Sequence, residues 1–164
     1  MKHKSVLVVV TLLLTLLLVM PAGAQEKTLT VTWAQEPDNL FPMYTTMTFA
    51  GYTWQLFLAG AWDYDPDYNP HPVLVAEMPS LANGGISEDG TTITFKLNEG
   101  MMWSDGDPLD SEDFIFTYEM YMADGNTPQS RSPYDAIASI EAPDATTVVI
   151  SFDAPYAPWL GLFD

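Results

Sequence analysis

A chain of 164 residues with 22 acidic residues, five Lys or Arg and no Cys carries a formal charge of −17. That balance excludes nucleic-acid binding through phosphate neutralisation. The missing Cys excludes a disulfide scaffold, a Cys-ligated metal site and a lipid-modified cysteine. The aliphatic and aromatic content excludes a wholly disordered chain.

The chain opens with Lys2, His3 and Lys4, runs apolar from Val6 to Met20, and closes on Ala22-Gly23-Ala24. This is the pattern of a secretory signal peptide over residues 1–24, cleaved near Ala24. The apolar run is shorter than the ~20 residues a spanning helix needs, so no stable membrane insertion is expected after cleavage. The exported remainder keeps only Lys27, Lys96 and Arg131 as cations. Such acidity is read as a solvated surface, with attraction of cationic ligands as the alternative.

Thr28 to Trp33 alternates and is β-branched, which predicts a strand. Ala34 to Pro42 is a proline-held loop. Phe49 to Leu58 predicts a helix that turns Trp54 and Phe57 inward. A short strand is expected at Ala61 to Tyr64, followed by a hairpin turn through Asp63 to Pro70. The acids there imitate a calcium loop, but Tyr68 stands where that loop needs Gly and Leu74 where it needs Glu.

Asn83-Gly84-Gly85 and Glu88-Asp89-Gly90 are turn signals. Thr91 to Leu97 predicts a strand with Ile93, Phe95 and Leu97 on one face. Ser104-Asp105-Gly106-Asp107-Pro108 suits a tight turn. A helix is expected from Ser111 to Ala123, with Ser111 as N-cap and Phe114, Ile115, Tyr118 and Met122 on one face. Gly125 is expected to end it. After an irregular polar connection, Ile137 to Glu141 and Thr146 to Phe152 predict a strand hairpin.

The stretch Gly100 to Phe114, GMMWSDGDPLDSEDF, joins a turn, a cap and an aromatic at fixed offsets. It resembles the "G-V-K-W-S-D-G-x-P-L-T-A-E-D-V" segment of extracellular solute-binding proteins of family 5, the oligopeptide-, dipeptide- and nickel-binding proteins of ABC importers. Met102 replaces the usual Lys, and Asp110-Ser111 replaces Thr-Ala. Other segments resemble the family's: Glu36 to Pro42, with Phe41 for the usual Asp; Pro72 to Glu77; Glu88 to Leu97; Ile137 to Phe152; and Pro155 to Leu162, where the resemblance implies the start of a short helix.

The resemblance implies a mixed α/β, periplasmic-binding-protein-like fold of type II, two-lobed, with only its amino-terminal portion present. Residues 25–55 would be the first part of lobe one, and 56–164 a smaller strand-and-helix subdomain cut short at its end. The implied function is capture of peptides or similar small solutes outside the cytoplasmic membrane, periplasmic or extracellular. Delivery would be to the permease subunits of an ABC importer, with no cofactor.

Catalytic and metal sites are not expected. After the signal the one His is His71, in a turn between prolines, and no ligand set clusters at zinc spacing. Acids are plentiful, so a secreted hydrolase using paired carboxylates remains the alternative. Trp33, Trp54, Phe95 and Phe114 are expected in the core, and Trp103 as a packing anchor beneath its turn. Tyr44, Thr46, Met47 and Tyr134 lie in irregular segments, where binding residues concentrate. The resemblance implies solute contacts in the same places: just beyond Leu40-Phe41-Pro42, and at the aromatic of Ser132-Pro133-Tyr134. Ordinary packing is the competing reading of these four.

Overall fold

The computed structural model describes residues 27–164, so the signal peptide expected over 1–24 lies outside the described residues. The chain divides after Trp33 into two units. In the first, residues 27–33 form no regular element, and the strand expected at Thr28 to Trp33 is absent. A strand exists by pairing, and no described segment offers these residues a ladder. Trp33, expected in the core, is exposed.

The second unit contains two helices and five strands among the described residues. Helix α1 is Thr48–Trp54, β1 is Trp62–Tyr64 and β2 is Pro70–Pro72. Strand β3 is Thr92–Lys96, helix α2 is Ser111–Met122, β4 is Ile137–Asp144 and β5 is Thr147–Phe152. Strands β1 and β2 make an antiparallel hairpin, and the other three form an antiparallel sheet in the order β3-β5-β4. In register, Ile93 faces Ile150 and Phe95 faces Val148. Ile93, Phe95 and Leu97 are all buried, as their alternation requires.

Aromatic rings tie the elements into one core. Phe95 meets Phe114 of α2 at 5.6 Å and Trp62 of β1 at 5.8 Å, both edge to face. Trp62 is 1% exposed, and its indole N–H donates to Leu160 O at 2.7 Å. Trp159 packs edge-on against it at 5.2 Å. The chain's last turn is thereby pinned on the β1–β2 hairpin. Ala61 N–H donates to Phe163 O at 2.6 Å. A Cβ on the neighbouring Gly60 would lie 2.7 Å from the backbone of Asp164, so only glycine permits this approach.

Helix α1 is shorter than expected. Leu56 N–H bonds Thr53 O and Phe57 N–H bonds Trp54 O, i→i−3 contacts that tighten and end the helix at Trp54. Phe57 consequently faces solvent rather than the core. Trp54 is partly buried.

The N-cap of α2 is Asp110, one residue before the expected Ser111. Asp110 has the extended backbone a cap requires, and its carboxylate accepts Glu112 N–H at 2.9 Å. Asp113 reciprocates by accepting Asp110 N–H at 2.9 Å, closing a capping box. Ser111 is buried and spends its hydroxyl on Asp144 O at 2.6 Å, fastening the helix to the β4–β5 turn. Trp103 is 46% exposed rather than buried beneath its turn. Its indole N–H donates to the capping Asp113 carboxylate at 3.2 Å. The turn itself forms, with Gly106 at φ 97.

Candidate functional site

The segment between Pro42 and Met47 is irregular yet closely tied. Pro42–Tyr44 makes one 3-10 turn, favoured by a proline at its first position. Asp38 stands behind it, accepting the Thr45 hydroxyl at 2.5 Å. Thr45 Oγ1 accepts Met47 N–H at 3.0 Å. Met43 and Thr45 are buried. Between these anchors Thr46 is exposed, while Tyr44 and Met47 are half-buried. Three of the four sequence-predicted residues therefore sit on one short, braced, accessible stretch leading into α1.

This stretch docks on the connection that leaves α2. Met43 O accepts Gln129 N–H at 2.9 Å. Tyr44 O accepts Gln129 Nε2–H at 3.3 Å, and the Tyr44 hydroxyl donates to Asn126 Oδ1 at 3.3 Å. Asn126 Nδ2–H reaches back to Met120 O at 2.7 Å. The expected glycine ending at Gly125 is not used, since Gly125 lacks a positive φ. Arg131 replaces it, donating to Tyr121 O at 3.2 Å, Ala123 O at 3.1 Å and Asn126 O at 3.4 Å. A cation on the last carbonyls of a helix also complements its dipole. Sequence reasoning missed Asn126, Gln129 and Arg131. The available signal was that Arg131 is the sole Arg of the chain and follows a helix.

Tyr134 lies at the far end of the same connection, after a cis Ser132–Pro133 bond, in the 3-10 turn Tyr134–Ala136. It is 7% exposed. Its ring stacks on Tyr121 at 4.3 Å and meets Phe163 edge-on at 5.2 Å. Its hydroxyl accepts Phe163 N–H at 3.2 Å. Burial raises the pKa of this phenol well above its ordinary value, opposed by the Phe163 N–H it accepts and aided by Tyr121 and Asp164. In this chain Tyr134 has the surroundings of a packed residue, whereas Tyr44, Thr46 and Met47 have those of accessible ones.

Several acids are engaged locally. Asp65 accepts Asp67 N–H and Asn69 N–H, each at 2.9 Å, and Asn69 Nδ2–H at 3.1 Å. These bonds lower its pKa and use the oxygens a calcium ion would need. Among the described residues no group of three His, Cys, Asp or Glu is placed to hold a metal, and no helix is long and apolar enough to cross a membrane. A shallow apolar hollow of about 220 Å³ opens between Ile86, Gly90, Ile93, Pro155, Tyr156 and Trp159.

Residues 76–163 match the family described as bacterial extracellular solute-binding proteins, family 5, middle region. Protein XP55 of Streptomyces lividans is 33% identical over 126 residues, covering 77% of this chain and 22% of that protein. The oligopeptide-binding protein OppA of Bacillus subtilis is 26% identical over 104 residues, covering 63% of this chain and 18% of that one. The chain thus spans about a fifth of the length of these relatives.

Among solved structures, OppA of Haemophilus influenzae, in complex with RPPGFSPFR, superposes with a TM-score of 0.69 at 21% identity. It is matched over 78% of this chain and 27% of its own. NikZ of Campylobacter jejuni, in complex with Ni(L-His), gives a TM-score of 0.68 at 22% identity, over 79% of this chain and 24% of its own. These likenesses show the fold: mixed α/β, of the type II periplasmic-binding-protein kind, with part of it present.

Proposed function

The chain belongs to the bacterial extracellular solute-binding proteins of family 5, and from that membership we propose that the whole protein is the exported capture component of an ABC importer. It binds a peptide or similar small solute outside the cytoplasmic membrane and hands it to the permease subunits. The observation that carries this reading is the family match over residues 76–163, which contains the Trp103 turn and the capped helix α2. The peptide held by the Haemophilus relative supports a peptide as solute, and the nickel–histidine complex held by NikZ supports other small chelates as competitors. Binding is non-covalent, with two lobes closing about a hinge. Residues 25–55 belong to lobe one and 56–164 to the smaller subdomain. Residues 1–24 direct export and are removed near Ala24.

Tyr44, Thr46 and Met47 face the solute. Tyr134 completes the set read from sequence, and its burial against Tyr121 and Phe163 supports a packing role in this chain. The protein is read as a binding protein rather than an enzyme, because the family it belongs to is one of solute-binding proteins.

The reading is tested by calorimetry of the full-length exported protein against a pool of short peptides, with nickel–histidine as a second probe. Micromolar or tighter binding to either supports it. No binding, or turnover of peptide, ester or glycoside substrates that is lost on Glu36→Ala or Asp105→Ala, overturns it.

A further inference from the structure

The connection leaving α2 is held to the accessible stretch at Tyr44–Met47 by the side chains of Asn126 and Gln129. We infer that Asn126 and Gln129 are positioning residues for solute binding, holding the Tyr44 end of the stretch in register with the C-terminus of α2. The inference rests on the transport reading and extends it to residues outside the expected contacts.

Asn126 commits its whole amide. Nδ2–H donates to Met120 O at 2.7 Å, while Oδ1 accepts the Tyr44 hydroxyl at 3.3 Å. Its backbone N–H bonds Ala123 O, and its carbonyl accepts Arg131. Asn126 therefore links the last turn of α2, the Arg131 clamp and the ring of Tyr44. Gln129 works beside it through two bonds of different kinds. Its backbone N–H takes Met43 O, which any residue but proline could do, and its side chain takes Tyr44 O. Only that second bond depends on the residue type.

The consequence is preorganisation. Tyr44 is held from both its carbonyl and its hydroxyl, and Thr45 is fixed to Asp38. Thr46 and Met47 then follow from a fixed start. A binding loop held in its bound geometry loses less entropy on capture, and affinity rises without a new contact. Neither Asn126 nor Gln129 has to touch solute for this to hold.

The test is a double-mutant cycle in the full-length protein, read by calorimetry with the short-peptide pool. Tyr44→Phe keeps the ring and removes the donor to Asn126. Asn126→Ala removes the acceptor, and Gln129→Ala removes the bond to Tyr44 O. Each single variant is expected to weaken binding about three- to tenfold; Tyr44→Phe and Gln129→Ala are expected to melt close to the wild type, and Asn126→Ala, which also loses its bond to Met120 O, somewhat lower. The Tyr44→Phe/Asn126→Ala double variant is expected to be no weaker than the worse single one, because both lose one shared bond. Hydrogen exchange at residues 43–47 is expected to quicken in the Asn126 and Gln129 variants. Fully additive losses, unchanged affinity, or losses that track the fall in melting temperature overturn the positioning role alone. Absence of binding by the wild type overturns the transport reading, and the positioning role with it.

Discussion

Two side chains show how local surroundings decide a residue's part. Tyr134 could serve either as a solute contact or as a core residue, and substitutions separate the two. Tyr134→Phe keeps the stack on Tyr121 and loses only the hydroxyl that accepts Phe163 N–H. It is expected to cost about 1–3 kcal/mol in stability, because the buried Phe163 N–H is left without an acceptor. Tyr134→Ala removes a buried ring and is expected to cost about 3–5 kcal/mol, seen as a much lower melting temperature. A small stability loss with about 1–3 kcal/mol lost from solute binding would make Tyr134 a contact instead. Asp144 speaks to pH. It accepts Thr146 N–H, the Thr146 hydroxyl and the Thr147 hydroxyl, and these bonds hold its pKa below the ordinary carboxylate value. A pKa lower in the folded state stabilises above the unfolded value of about 4 and loses that contribution as pH falls through the folded one. Asp144→Asn is therefore expected to make the chain less sensitive to acid below about pH 4 while lowering stability at neutral pH. Melting curves from pH 2 to 7 check this; an unchanged acid limb would show that other carboxylates, such as Asp65 and Asp89, carry the effect.

At the scale of elements, helix α2 is fastened at both ends by side chains. Asp110→Ala removes the N-cap and is expected to cost about 1 kcal/mol. Arg131→Ala strips a charged donor from three carbonyls and is expected to cost about 1.5–3 kcal/mol. Arg131→Lys is expected to recover little of that, because an ammonium cannot span carbonyls as a planar guanidinium does. Chemical denaturation of the three variants checks the order; full recovery by Lys would reduce Arg131 to a point charge. The same helix shows what was legible beforehand. Its span, its inward face and the Trp103 turn follow from local patterns, as do strands β3 and β5, whose alternation matches the burial of Ile93, Phe95 and Val148; β4 runs on to Asp144, past its expected end at Glu141. What failed depended on partners distant in sequence. Ser111 looked like the cap, but its hydroxyl is drawn to Asp144, 33 residues on. Gly125 looked like the stop, but Arg131 reaches back to supply it. Thr28 to Trp33 had strand chemistry and found no ladder among the described residues. In the candidate site, Tyr44, Thr46 and Met47 were legible as a loop after two prolines. The brace from Asn126 and Gln129 was not, because it crosses more than 80 residues of chain.

At the scale of the molecule, the question is whether these 164 residues suffice to bind. Clefts for drug-sized ligands enclose about 300–1,000 Å³ and bury most of the ligand's surface. The apolar hollow beside Tyr156 and Trp159 measures about 220 Å³ and lies among different residues from Tyr44, Thr46 and Met47. Of those three, Thr46 is exposed and Tyr44 and Met47 are half-buried. A peptide laid there would keep much of its hydration on the far side, and the apolar burial that drives affinity would be correspondingly small. The relatives that hold solutes are about four times as long as the stretch matched here. The 164-residue chain by itself is therefore expected to show no micromolar binding to the short-peptide pool, while the full-length protein does. Parallel titrations of the two, at equal concentration and after both are shown to be folded by circular dichroism, check this. Submicromolar binding by the chain alone would mean that the braced stretch and its α2 connection already form a complete pocket. The two-lobed account of capture would then have to be abandoned.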